Sequence, residues 1–200
     1  MNPGYGGNRE EQPGCWFSFA VGDVDFIMLD GRYYRENPRK VENPSMLGPV
    51  QKQWLFDTLK QSKATFKVLA SPVPWAYGTK PGSPDPWQGF KQEREEIFSF
   101  IEENQIEGVF LIAADRHRSD AWKIYRENGY SLYEFESSRL SNMHYHREMP
   151  QAIFSYNDTC SFGTLSFDTT LNDPEVTYTV WSIDDEKKFS MTLKRSRLAY

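Results

Sequence analysis

From Gly108 to Asp120 the chain reads "GVFLIAADRHRSD". The apolar run Val109–Ala114 suits a strand covered on both faces. Its exit is loaded with Asp115, Arg116, His117, Arg118 and Asp120, so an acid, an imidazole and two guanidinium groups follow directly on a buried strand. Working upstream, Phe90, Ile97, Phe98 and Ile101 recur on one face of a helix predicted over 88–104. "ATFKVLAS" (64–71) reads as another buried strand. "GPVQKQWLFDTLKQS" (48–62) reads as a helix, with Pro49 in its first turn and Val50, Trp54, Leu55 and Leu59 on one face. "WFSFAV" and "VDFIML" are two short strands around a Gly22-Asp23 turn, the second suited to burial on both sides. This alternation of strand and helix predicts parallel strands joined by right-handed crossovers. Ligands in such sheets sit at the carboxyl ends of strands, and the "DRHRSD" segment stands at one such end.

The remaining segments frame this unit. Residues 31–48, rich in Arg, Asn and Pro, read as loop. "PVPWAYGTKPGSPDPWQG" (72–89) holds five prolines and three glycines, and a loop of this length in a compact domain is usually functional. Downstream, "AWKIYRENGYSLYEFESS" predicts a hairpin around Asn128-Gly129. Residues 139–158 read as a polar loop, and "CSFGTLSFD", "EVTYTVWSID" and "KFSMTLKRS" as a β-meander. The expected organisation is a coil at 1–14, an α/β portion at 15–138, and a loop and meander at 139–200 belonging to the same domain.

Composition excludes several classes. With 38% apolar and 16% aromatic residues over 200 positions, the chain is globular rather than disordered. No stretch approaches the roughly 20 apolar residues of a membrane span. Nor does "MNPGYGGNREEQPG" carry the apolar centre of a signal peptide. A net charge of -5 argues against a nucleic-acid or anionic-membrane surface. Cys15 and Cys160 make no disulfide framework, and the compartment stays open.

Asp115 and His117 are the strongest candidates for chemistry. In an extended segment alternate residues share a face, and a carboxylate with an imidazole suits Zn, Fe or Mn. The spacing alone leaves open an Asp that caps the next turn beside an exposed His. Arg32 and Arg116 are candidates for phosphate, which Arg holds bidentately; ordinary ion pairs with Asp30 or Asp120 are the alternative. His144 and His146 have ligand-like spacing but read as part of an exposed loop outside the site. Ser137-Ser138 lacks a nucleophile-elbow context.

Five stretches in order, "MLDGRYYR" (28–35), "MLGPVQKQWL" (46–55), "ATFKV" (64–68), "DPWQGFKQER" (85–94) and "ADRH" (114–117), resemble motifs of the alkaline phosphatase D (PhoD-like) family of metallophosphoesterases. "FGTLSFD" and "DPEVTY" look like that family's terminal β segment. The resemblance implies an α/β fold: the C-terminal half of a calcineurin-like metallophosphoesterase sandwich with an appended antiparallel β-meander. It implies hydrolysis of phosphate monoesters or diesters by a two-metal centre, iron with calcium, in which Asp115 and His117 are late ligands. Asp85 and Trp87 match a loop that overhangs the site and would shape the substrate pocket. Ala114 stands where the family has Gly, a cost in geometry if that position needs a positive φ. "LDGR" stands for the commoner "LDTR". A two-metal site needs about six ligands, and only one convincing pair is present. The expected partner is therefore the missing N-terminal half of the same enzyme, and full-length relatives are often exported. Two alternatives remain: a non-catalytic relative that keeps only the fold, and a binding module presenting Tyr178, Trp181 and Phe189.

Overall fold

The computed structural model describes residues 13–141 and 146–200. The expected coil at 1–14 and His144 therefore fall largely or wholly outside the described residues. Strands β1 (Phe17–Val21) and β2 (Val24–Met28) pair antiparallel around Gly22-Asp23. Helix α1 (Gly48–Gln61) leads to β3 (Phe66–Ala70), and helix α2 (Lys91–Glu103), entered through a 3-10 turn at Trp87–Phe90, leads to β4 (Val109–Ala113). β2, β3 and β4 are parallel neighbours, as the alternation requires. Then β5 (Ser119–Ile124) and β6 (Leu132–Glu136) form the hairpin, through a longer connection than a two-residue Asn-Gly turn. β6, not β5, lies against β4, and in parallel. The segment expected to be only polar loop contributes a short strand, β7 (Phe154–Tyr156), which pairs with β5. The order is β1-β2-β3-β4-β6-β5-β7, with β4 at the centre.

A second sheet holds the meander: β8 (Ser161–Asp168), β9 (Glu175–Ser182) and β10 (Lys187–Lys194), with β9 in the middle. It packs on one face of the large sheet. Phe167 meets Phe26, Phe66 and Phe110, and Tyr178 stacks on Phe135 with centroids 4.4 Å apart. Phe189 stacks on Phe154, so Tyr178 and Phe189 are packing residues and do not present a contact surface.

The face of α1 differs from the expected one. Leu55 and Leu59 are buried, but Val50 is 41% exposed and Gln51 is buried in its place. Gln51 donates from Nε2 to the Asp30 carbonyl and accepts from the Asp30 N–H. These bonds tie the helix to the carboxyl end of β2. The buried Glu93 of α2 accepts from the N–H groups of Met46 and Leu47, capping the start of α1 with a carboxylate where the helix dipole favours one.

β1 is the edge of the sheet, and four of its five residues are exposed, Phe19 at 44% and Val21 at 61%. β3, by contrast, is buried throughout, as its apolar run predicts. Among the described residues no helix is long and apolar enough to cross a membrane.

Candidate active site

Two elements bring the candidate site together at the carboxyl ends of β3 and β4: the proline-rich loop after β3 and the bend after β4. The loop is anchored in the core. Trp75 and Trp87 stack 4.2 Å apart, and Trp87 donates from Nε1 to Ser71 Oγ at 2.9 Å. Trp87 is fully buried, so its side chain holds the loop and does not line the pocket. Glu134 of β6 accepts from the N–H groups of Trp75 and Ala76 at 2.8 and 2.7 Å. Further along, the Thr79 carbonyl accepts from Arg116 Nε and Arg118 Nη2 at 3.1 and 3.0 Å, clamping the loop onto the bend.

The bend, residues 114–118, is not extended, so the expectation that alternation would align Asp115 and His117 does not apply. Both have left-handed backbones instead, with φ of +78 and +52. Ala114 is not among the positive-φ residues, so the Gly-to-Ala departure carries no penalty of that kind. The buried Glu136 of β6 accepts from the Arg116 N–H between them at 3.1 Å. Gly108 matters at the other end of β4. Its φ is +76, and a Cβ there would lie 2.2 Å from the Thr65 carbonyl oxygen.

Asp115 Oδ2 is buried, takes no hydrogen bond and faces Lys80 Nζ at 3.7 Å. The same ammonium lies 3.2 Å from Asp85, which also pairs with Arg32 and Arg35 at 2.9 and 2.8 Å. Burial raises the Asp85 pKa, but the hydrogen bond and charge of Arg32, with Lys80 and Arg35, outweigh it and hold the carboxyl at about 2. Thus Arg32 pairs with Asp85 rather than Asp30. Asp30 is occupied by the N–H groups of Cys15, Arg32 and Tyr33. Similarly, Arg118, not Arg116, pairs with Asp120, at 2.7 Å.

Arg116, Arg118, Lys80, His146 and Arg147 line a cavity of about 700 Å3, in which Glu148 is the only carboxylate among the described lining residues. His146, read from the sequence as part of an exposed loop outside the site, lines this cavity. Its ring lies 5.4 Å from that of His117, and its Nδ1 is 3.3 Å from Arg116 Nη2. Behind the cavity lies a buried acid cluster. Burial pushes Glu134 up to about 7, opposed by its two N–H bonds and by Arg94. Burial, then Asp120 and Glu134, raises Glu136 well above its ordinary value, and Arg118 and Arg116 offset only part of this.

The metal test is specific. A divalent ion favours carboxylate oxygens, and Asp115 Oδ2 is one that takes no hydrogen bond, with Lys80 at 3.7 Å as its charged neighbour. Yet among the described residues no group of three or more His, Cys, Asp or Glu side chains is placed to hold a metal. The described side chains do not complete a metal site by themselves.

A buried-strand exit that gathers cations around a cavity fits a protein that handles phosphate, and family comparison agrees. A family model described as PhoD-like phosphatase matches residues 3–170. The chain belongs to the PhoD-like phosphatase family. Alkaline phosphatase D of Bacillus subtilis (strain 168) is 31% identical over 120 residues, covering 50% of this chain and 21% of that protein. A solved structure described as "Structure of PhoD" superposes with a TM-score of 0.63 and 21% identity, over 92% of this chain and 45% of that one. At that identity the superposition speaks for the fold alone. The chain spans well under two thirds of either relative.

Proposed function

We propose that this chain provides the phosphate-holding part of a phosphatase active site and takes part in hydrolysing phosphate esters. The observation that carries this reading is the cavity at the carboxyl end of β4, with Arg116, Lys80 and Arg147 on its wall. Arginine binds phosphate oxygens bidentately, and lysine adds a point charge. Of these, Arg116 is buried, Lys80 half-buried and Arg147 exposed, so the strongest attraction falls to Arg116, where low polarity strengthens it.

Metal dependence belongs to the same reading. Asp115 and His117 are the side chains that would hold a metal here, with further donors supplied from outside the described residues. The iron and calcium pair and the calcineurin-like architecture rest on family resemblance. Such ions would polarise the phosphoryl group and lower the pKa of a bound water. The chain's own residues bind and orient. Arg116 is fixed by Thr79, Glu136 and His146 before any ester arrives, so little ordering remains to be done on binding.

The test is hydrolysis of an aryl phosphomonoester and a bis-aryl phosphodiester. The chain alone is expected to be nearly inactive. Joined to the portion of a longer relative that it does not span, it should hydrolyse at least one of the two. Arg116→Ala in the joined protein should cost about 100-fold, as loss of a preorganised charged donor does elsewhere. An Arg116→Ala protein at the parent rate would remove the cavity from the site. The non-catalytic alternative predicts no hydrolysis in either form.

A further inference from the structure

We propose that the outward face of the meander sheet binds an uncharged, β-linked glycan chain, with Trp181 and Phe162 stacking on a sugar ring and the hydroxyls beside them bonding its rim. The inference does not rest on the phosphate cavity. Alternation along each strand divides the meander into two faces. Tyr178 of β9 and Phe167 of β8 point toward the large sheet. Their neighbours Thr177, Thr179 and Ser166 therefore point the other way, and so does Trp181. The ladder sets Trp181 directly opposite Phe162, which is 44% exposed. The next two rows of this face hold only hydroxyls: Thr164, Thr179 and Ser190, then Ser166, Thr177 and Thr192. Thr164, Ser166, Ser190 and Thr192 are exposed. Charged side chains stand only at the margins, with Lys187 beside Trp181 and Asp168, Glu175 and Lys194 in the row beyond, two of each sign. The face thus carries no net charge and matches a ligand that has none, unlike the cationic cavity.

Each group answers to a part of a pyranose. A β-linked pyranose with equatorial hydroxyls shows apolar C–H groups on its faces and hydroxyls round its rim. Aromatic rings cover the first, and tryptophan adds a polar N–H at its edge. Serine and threonine hydroxyls both donate and accept, and so suit the second. Thr177 and Thr192 are 2.8 Å apart, Thr179 and Ser190 3.2 Å. Each pair spends one donor internally and keeps a second donor and further lone pairs for a ligand. Strands roughly 4.8 Å apart, with same-face residues roughly 6.8 Å apart along each, give a grid on the scale of consecutive sugar rings. Two rows of hydroxyls leave little apolar area for a protein partner, and balanced charge offers no pull on an ionic one.

The experiment is titration of the chain with cellohexaose and with chitohexaose, followed by calorimetry and amide 15N shifts, for wild type, Trp181→Ala, Phe162→Ala and Thr179→Val. Wild type should bind at least one of the two at millimolar concentration, with shifts confined to β8, β9 and β10. Trp181→Ala should weaken binding about tenfold or more, as loss of an aromatic anchor does elsewhere. Phe162 is exposed, so Phe162→Ala gives the same test in a protein that folds even if Trp181→Ala does not. Thr179→Val keeps the shape, removes one hydroxyl and should weaken binding about fivefold. Binding of neither glycan, or Trp181→Ala and Phe162→Ala binding as tightly as wild type, overturns the proposal. So does displacement of the glycan by inorganic phosphate, which would place it in the cavity. Phosphate titrated alone reads the cavity separately, and its failure to bind there leaves this inference standing.

Discussion

A left-handed backbone at a residue other than glycine costs on the order of 1 kcal/mol, and the bend after β4 adopts it at both Asp115 and His117. The metal role proposed above for Asp115 and His117 gives this strain a reason. His117→Gly should therefore leave stability unchanged or raise it by about 1 kcal/mol while abolishing whatever the imidazole does; urea midpoints of the two proteins decide this. Ala114→Gly should do the reverse of what the family pattern suggests. Ala114 has no positive φ to relieve, so the added freedom of the unfolded chain should cost about 0.5–1 kcal/mol. Asp85 offers a pH test. Its folded pKa, about 2, lies below the ordinary 3.8, so its contribution is full above 3.8 and fades as pH falls toward 2. Asp85→Asn should flatten that part of an acid-unfolding profile, and an unchanged acid limb would contradict the three-cation cluster. The pairings themselves were not legible in the sequence. Arg116 and Arg118 are equivalent on paper, and only the bend decides that Arg118 reaches Asp120 while Arg116 reaches Thr79 and His146.

At the scale of elements, hydrophobic spacing identified β2, α1, β3, α2 and β4, because burying an apolar face is what forms them. It failed where polar bonds replace apolar contact. Gln51 occupies the buried face of α1 through two hydrogen bonds to Asp30, which no hydrophobic pattern records. β7, at Phe154–Tyr156, is too short to show a period and forms because β5 presents an open edge. The β5–β6 pair makes its own prediction. Glu136, fully buried and opposite Asp120, has a folded pKa well above its unfolded 4.5. The fold therefore holds a proton that the unfolded chain releases, and stability falls as pH rises above 4.5. Glu136→Gln removes that titration, so it should be nearly neutral at pH 4 and gain on wild type as pH rises. A constant difference across pH would show that Glu136 is ionised in the fold. At the other side of the sheet, β1 is an edge strand with Phe19 and Val21 exposed and neither Lys nor Pro to protect it. Val21→Lys should change stability by less than about 0.5 kcal/mol and reduce self-association, measured by sedimentation.

At the scale of the molecule, the chain is acidic overall at -5, yet gathers Lys80, Arg116, Arg118 and Arg147 around one cavity. The order of motifs made the family legible, and the strand exit lies at the end of the sheet where the cavity is found. The cavity wall was not legible, because His146 and Arg147 lie some thirty residues beyond Arg116 in sequence and meet it only through the fold. The chain spans 45% of the solved chain and 21% of the curated one. The most direct measurement is made on the joined protein: bound metal and aryl phosphate hydrolysis, side by side, for wild type, Asp115→Asn and His117→Ala. Both substitutions should lose metal and rate together, by at least about 100-fold in rate, since a lost ligand removes several kcal/mol of charge stabilisation. His117→Ala retaining metal and rate at the parent level would mean that the strand exit carries only the ancestry of the family and not its chemistry.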